Sequence, residues 1–193
     1  RRFTGYKRPA LILYDTERLK KIVNNKWGPV QIIFSGKSHP ADLSGKYSIH
    51  NVCRIARDRA FQGRVAFIED YDMHLSRYLI QGIDVWLNNP LRLLEASGTS
   101  GMKAGINGVL NMSVRDGWWE EGYNERNGFA IGANWESAGS SEQDREDAES
   151  IYRLLEDKII PLYYAQDRSG VPHEWVKMVK ESIVSIMPNF SAS

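Results

Sequence analysis

Apolar and polar positions along this chain fall into two rhythms. Short, nearly continuous apolar runs bounded by turn residues predict buried strands: Val30 to Ser35 between Gly28-Pro29 and Gly36-Lys37, Arg64 to Ile68, Ile83 to Leu87 stopped by Asn88-Asn89-Pro90, Val109 to Val114, and Gly128 to Gly132. Between them, apolar residues recur at helical spacing. Leu11, Ile12, Leu19 and Ile22 form one stripe, Val52, Ile55 and Ala56 a second within Ile49 to Phe61, and Met73 to Gln81 reads as a further helix. After the last strand, Ala138 to Ser141 is small and polar and reads as a connector, with Asp144 to Glu149 an exposed helix start. Ile151, Leu154, Leu155 and Ile159 then give a stripe that Pro161 should end, and Trp175, Met178, Val179 and Ile183 another that Pro188 should end. Strands alternating with helices predict an α/β fold, a Rossmann-like doubly wound parallel sheet whose functional loops lie at the carboxyl ends of its strands.

Length and charge narrow this reading. With 193 residues the chain is expected to form one domain, 1–193, around one sizeable core. The net charge of +1 is the near-cancellation of 25 basic and 24 acidic side chains, so no global field recruits nucleic acid or an anionic membrane. Any anion specificity must be local. The single cysteine, Cys53, forms no internal disulfide and reads as a small apolar residue of its helix, which favours a reducing, cytoplasmic compartment. No run reaches the length of a membrane span. The opening Arg1-Arg2-Phe3-Thr4-Gly5-Tyr6-Lys7-Arg8-Pro9 reads like the interior of a motif, so a piece of a longer polypeptide is expected.

The chemistry centres on Leu94 to Gly108, which reads as a loop running into a helix. Gly98 and Gly101 let main-chain N–H groups converge, Ser97, Thr99 and Ser100 add hydroxyls, and a helix starting near Thr99 or Ser100 points its positive end at the same place. An anion is the natural guest. Lys103 lies about one turn in, near enough to reach back over the loop, and Asn107-Gly108 is a helix stop. The spacing is neither a Walker loop nor the dinucleotide fingerprint, and a plain turn before a helix remains the alternative. Arg1, Arg2, Lys7 and Arg8 around Gly5 suit an oxyanion or, equally, a solvated basic segment. Trp118 and Trp119 suit sugar stacking or packing. His173 and the other histidines lack ligand spacing, so no metal is expected.

Glu95 to Lys103, followed by Asn107-Gly108 and by Asp116-Gly117-Trp118-Trp119-Glu120-Glu121-Gly122-Tyr123, resembles the pyridoxal-phosphate segment of the α-glucan phosphorylases, in the shorter bacterial and archaeal branch. Arg1-Arg2 with Tyr6-Lys7-Arg8 resembles the family's segment after the first strand of the C-terminal domain. The resemblance implies the C-terminal, Rossmann-like half of a two-domain glycosyltransferase of the GT-B type, with the active site in the cleft between halves. It implies reversible phosphorolysis of α-1,4-glucan to glucose 1-phosphate. Lys103 would carry pyridoxal phosphate, Thr99 and Ser100 would form the turn that receives its phosphate, and Tyr71 and Arg1 would lie beside that phosphate. Arg2 and Lys7 would be the catalytic ligands of substrate phosphate, and Glu95, Ser97 and Gly98 would contact glucose. Asp72 departs from the pattern, standing where some members have arginine. Partial burial and cations such as Arg2 are expected around Lys103, because the amine must be neutral to react with an aldehyde.

The implied partners are α-1,4-glucan, inorganic phosphate, glucose 1-phosphate and the N-terminal domain of the same enzyme, with a homodimer left open. The chain alone, one wall of a cleft, is expected to be inactive. Two other readings stay open: a cofactor-free transferase that takes a sugar nucleotide, and a non-catalytic glucan-binding module.

Overall fold

The computed structural model describes residues 2–132 and 141–191. Single 3₁₀ turns at Gly5–Lys7 and Leu11–Leu13 lead into α1 (Thr16–Val23), β1 (Ile32–Ser35) and α2 (Leu43–Arg57). After another turn, Arg59–Phe61, come β2 (Val65–Ile68), α3 (Met73–Gly82), β3 (Val85–Asn88), α4 (Thr99–Ile106), β4 (Leu110–Val114), the short α5 (Trp118–Gly122) and β5 (Gly128–Ile131). α6 (Ser141–Arg153), α7 (Ile160–Tyr164) and α8 (His173–Phe190) follow.

Each apolar run becomes a strand, and aspartates cap three of the helices, α1, α2 and α3. Asp15, Asp42 and Asp72 accept from the backbone N–H of Arg18, Gly45 and Leu75 at 2.9, 2.8 and 2.8 Å, so each satisfies a donor that its helix leaves open. Asp72 is therefore a helix cap.

All pairings are parallel, and helices cover both faces. Leu110, Met112 and Val114 of β4 join Leu19 and Ile22 of α1, Val52 and Ile55 of α2 and Ile151 of α6 in the main core. Trp86 of β3 points the other way, packing on Ile80 of α3 and Ala104 of α4. The parallel sheet is divided into β1-β2 and β3-β4-β5, an interruption that the doubly wound order already implies for a sheet whose middle strand would precede Arg1. β1 and β3 leave a gap between them, and Ile33, in the middle of an apolar strand, is 44% exposed there.

The two expected proline stops are also corrected. α6 widens into a π-helical stretch, Leu154–Ile159, and Pro161 falls in the first turn of α7, where a missing N–H costs least. Pro188 lies inside the last turn of α8. It withdraws a partner only from the carbonyl of Val184, on the solvent side of the helix. α6 also starts less exposed than its charges suggest, since Gln143 and Asp147 are buried. The connector read at Ala138 to Ser141 lies, up to Ser141, outside the described residues. Cys53 is half-buried.

Candidate active site

The site assembles where β3 and β4 end. Chain leaving β3 passes Asn89-Pro90 and returns as the Leu94 to Gly98 loop, which the turn after β4 straps down. Arg92 Nε donates to Arg115 O at 3.0 Å, Glu95 N to Asp116 Oδ2 at 2.8 Å, and Trp118 N to Ser97 O at 2.9 Å. Gly117 has φ 54°, and a Cβ there would lie 2.4 Å from Ser97 O, so the strap needs glycine. Trp118 and Trp119, at 4% and 0% exposure, anchor it against Ile186 and Phe190 of α8. Their burial removes the sugar-stacking alternative. Burial also pushes the phenol of neighbouring Tyr123 upward, with Glu125 adding to the shift.

Gly98, left-handed at φ 87°, turns this loop into α4 at Thr99, as the sequence suggests. Asn111 Nδ2 donates to Gly101 O at 3.0 Å, tying the helix start to β4. Ser97 and Ser100 are half-buried and Thr99 is exposed, so their hydroxyls and the first N–H groups of α4 lie at an open helix end. Lys103 is exposed, because α4 turns Gly101, Ala104 and Gly105 to the core. The expected partial burial of its amine is absent within this chain.

The basic opening segment is held on top. Leu91 N donates to Tyr6 O at 2.6 Å and Asn89 Nδ2 to Arg8 O at 2.7 Å. Arg8, which sequence reasoning placed only among four cations, is the fastener. It is buried in left-handed backbone and donates to Asn89 O, Pro90 O, Asp144 and Asp147 at 3.0, 2.8, 2.8 and 2.6 Å. Lys7, the next residue, thereby reaches across to Glu95, and the two form an ion pair with both side chains largely buried. Tyr6 stacks beneath the same ammonium, 4.8 Å away.

Arg2, Lys7 and Tyr71, with Asn88 and Asn89, are among the residues that line the cavity between β1 and β3. Arg2 is exposed and pairs by its backbone with Lys37 of the Gly36-Lys37 turn. Tyr71 is half-buried, 2.9 Å from Ser76 Oγ through its hydroxyl. Thr99, Ser100 and Lys103 are not among that cavity's lining residues and stand on α4 itself. Arg1 lies outside the described residues. The described residues include no group of side chains suited to a metal, and His173 instead pairs with Asp167 at 2.7 Å. The aspartate is held well below the usual carboxylate range by Ser169, Val171 and His173. No helix among the described residues is long and apolar enough to cross a membrane.

The family model described as carbohydrate phosphorylase matches residues 1–160. The glycogen phosphorylase of Aquifex aeolicus is 59% identical over 190 residues, covering 98% of this chain and 27% of that protein. The maltodextrin phosphorylase of Thermococcus litoralis is 53% identical over 191 residues, covering 99% and 22%. A Mycobacterium tuberculosis glycogen phosphorylase is 45% identical over 193 residues, covering 100% and 22%. The chain thus spans about a quarter of the length of the curated relatives it matches. On the family match and these identities, the chain belongs to the carbohydrate phosphorylase family.

Proposed function

We propose that this chain is the cofactor- and phosphate-binding half of an α-1,4-glucan phosphorylase of GT-B architecture, acting with an N-terminal domain of the same enzyme. The observation that carries the reading is the contact between Lys7 and Glu95, 88 positions apart in sequence. Glucose 1-phosphate joins an anion to a ring of hydroxyls through one oxygen, so its protein contacts must include a cation and a hydrogen-bond acceptor close together. Lys7 supplies the first and Glu95 the second. Arg2 adds a second cation, and Ser97 and Gly98 continue the sugar-facing loop.

The residues on α4 fit pyridoxal phosphate. Ser100, Thr99 and the opening N–H groups offer donors to its phosphate, and Lys103, one turn on, offers an amine unhindered by packing. Tyr71 and Arg1 are assigned to the same phosphate on the family pattern. When bound, the group supplies a phosphate that can pass a proton to and from substrate phosphate. The protein's task is to let two phosphates approach each other. Unscreened, that repulsion would dominate; Arg2, Lys7 and the positive end of α4 offset it. Once substrate phosphate takes Lys7, Glu95 is released from its ion pair and accepts from a glucose hydroxyl. Water must be excluded for glucan to be cleaved by phosphate rather than hydrolysed, which is the role of the facing domain.

The test is borohydride reduction of the full-length protein followed by peptide mass analysis. A pyridoxyl adduct on Lys103 is the expected result. An adduct on another lysine, or none on active enzyme, would overturn the assignment.

A further inference from the structure

Thr99, Ser100 and Lys103 all stand on α4, so whatever fixes the height and rotation of that helix fixes the three together. Its inner face is built from small residues, with Gly101, Ala104 and Gly105 buried. A Cβ on Gly101 would lie 2.7 Å from Asn111 Oδ1 and 2.9 Å from Trp118 Nε1, and one on Gly105 would lie 2.4 Å from Ile186 Cδ1. Those separations are too short for carbon, so a larger residue at either position would lift the helix or displace what supports it. The two glycines, one turn apart, form a notch in the underside of α4.

Asn111 of β4 fills the notch. Its Nδ2 donates to Gly101 O at 3.0 Å and lies 3.3 Å from where a Cβ of Gly105 would be. The residue is 1% exposed, and among the described residues its Oδ1 has no hydrogen-bond partner. For stability alone this is a poor choice. A buried oxygen left unpaired costs at least as much as one neutral hydrogen bond returns, and an apolar side chain of similar size, like those of its neighbours Leu110 and Met112, would fill the space without that cost. What the amide adds is direction. It grips the carbonyl of the residue two before Lys103, and two positions at about 100° each put that grip on the side of the helix away from the lysine.

We infer that Asn111 is a positioning residue, whose amide sets the rotation of α4 and so the place of the Lys103 amine relative to Lys7 and the Glu95 loop. The inference rests on the role proposed for Lys103 and adds the group that holds it there. Side-chain ends lie ~6 Å from a helix axis, so a rotation of ~10° carries the amine about 1 Å. A displacement of that size is enough for roughly a hundredfold loss of rate.

The test uses the full-length protein and its Asn111→Leu, Asn111→Asp and Asn127→Ala variants. Asn127 is as deeply buried, but its side chain donates to Gly122 O at 2.7 Å and to Ser185 Oγ at 3.0 Å, joining α5 to α8 without a bond to α4. Three quantities are read: the thermal midpoint, the rate at which cofactor-free protein given pyridoxal phosphate forms a borohydride-reducible adduct on Lys103, and kcat with KM for phosphate. Asn111→Leu is expected to keep the wild-type midpoint yet form the adduct about ten- to a hundredfold more slowly, with kcat falling by a similar factor and KM for phosphate unchanged, since Lys7 and Arg2 do not stand on α4. Asn111→Asp keeps the shape without the donor and should slow the adduct to the same degree, which covers the case of a leucine variant that does not fold. Asn127→Ala should lower the midpoint and leave the adduct rate within about twofold of wild type. An unchanged adduct rate in the Asn111 variants, or one that falls only in step with the midpoint as in Asn127→Ala, would overturn the inference. Wild-type protein that forms no adduct on Lys103 would overturn the proposed function itself and this inference with it, so the two failures are told apart.

Discussion

At the scale of single residues, Arg8 shows how a side chain outside the chemistry can decide where the chemistry lies. Its guanidinium meets two carbonyls of the Asn89-Pro90 turn and two carboxylates of α6, so one residue joins the basic loop to the loop after β3 and to a helix 139 positions away. Planar five-donor geometry suits this; a lysine would supply three donors around a point. Arg8→Ala is expected to destabilise the chain by about 3–5 kcal/mol, because it removes one partner from a buried charged cluster. Arg8→Lys should recover only part of that. Urea midpoints of the three proteins check it, and an Arg8→Ala midpoint equal to wild type would refute the role. Its partners were illegible in the sequence: Asp147 reads as one more acid of a charged run, and only the fold brings it to Arg8. Gly98, by contrast, was legible, because a glycine between small polar residues and a helical stripe has few other uses.

Elements were readable where the pattern is local. Strand positions came from apolar runs, whereas the caps at Asp15 and Asp42, though equally local, went unread. Pro161 misled because a π-helical stretch precedes it and it falls in the first turn of α7, and Pro188 because it lies inside the last turn of α8. The junction of α6 with α1 gives an element-scale prediction. Tyr152, on α6, accepts from Asp15 N at 2.7 Å and donates to Ile12 O at 3.0 Å, so it pins the α1 cap from below. Burial pushes its phenol up to about 12. The folded value lies above the ordinary value of about 10, so the stabilisation is complete below pH ~10 and is lost as pH rises toward ~12. Tyr152→Phe should cost about 1–2 kcal/mol at neutral pH and flatten that alkaline loss. Thermal melts from pH 8 to pH 12, on a logic of titration alone, decide it: an unchanged alkaline slope in the phenylalanine variant would contradict the assignment.

For the whole molecule, the sheet is interrupted between β1 and β3, and the amine of Lys103 stands exposed on α4. Composition and periodicity pointed to the fold class, and the doubly wound order already implied an interruption near the middle of the sheet; the register of Arg2 on Lys37 was not legible, since it is a property of the folded backbone. The candidate site was legible mainly through the motif from Glu95 to Lys103. What joins that motif to Lys7 is tertiary, a strap from the turn after β4 and a fastener at Arg8. The central claim is that Lys7 holds substrate phosphate while Glu95 faces the sugar. Its most direct test is the phosphate dependence of glucose 1-phosphate release by the full-length protein and its Lys7→Ala variant. Loss of a charge-assisted contact of about 1.5–3 kcal/mol predicts a KM for phosphate raised by roughly ten- to a hundredfold, with a fall in kcat. An unchanged KM for phosphate in active Lys7→Ala enzyme would contradict the account.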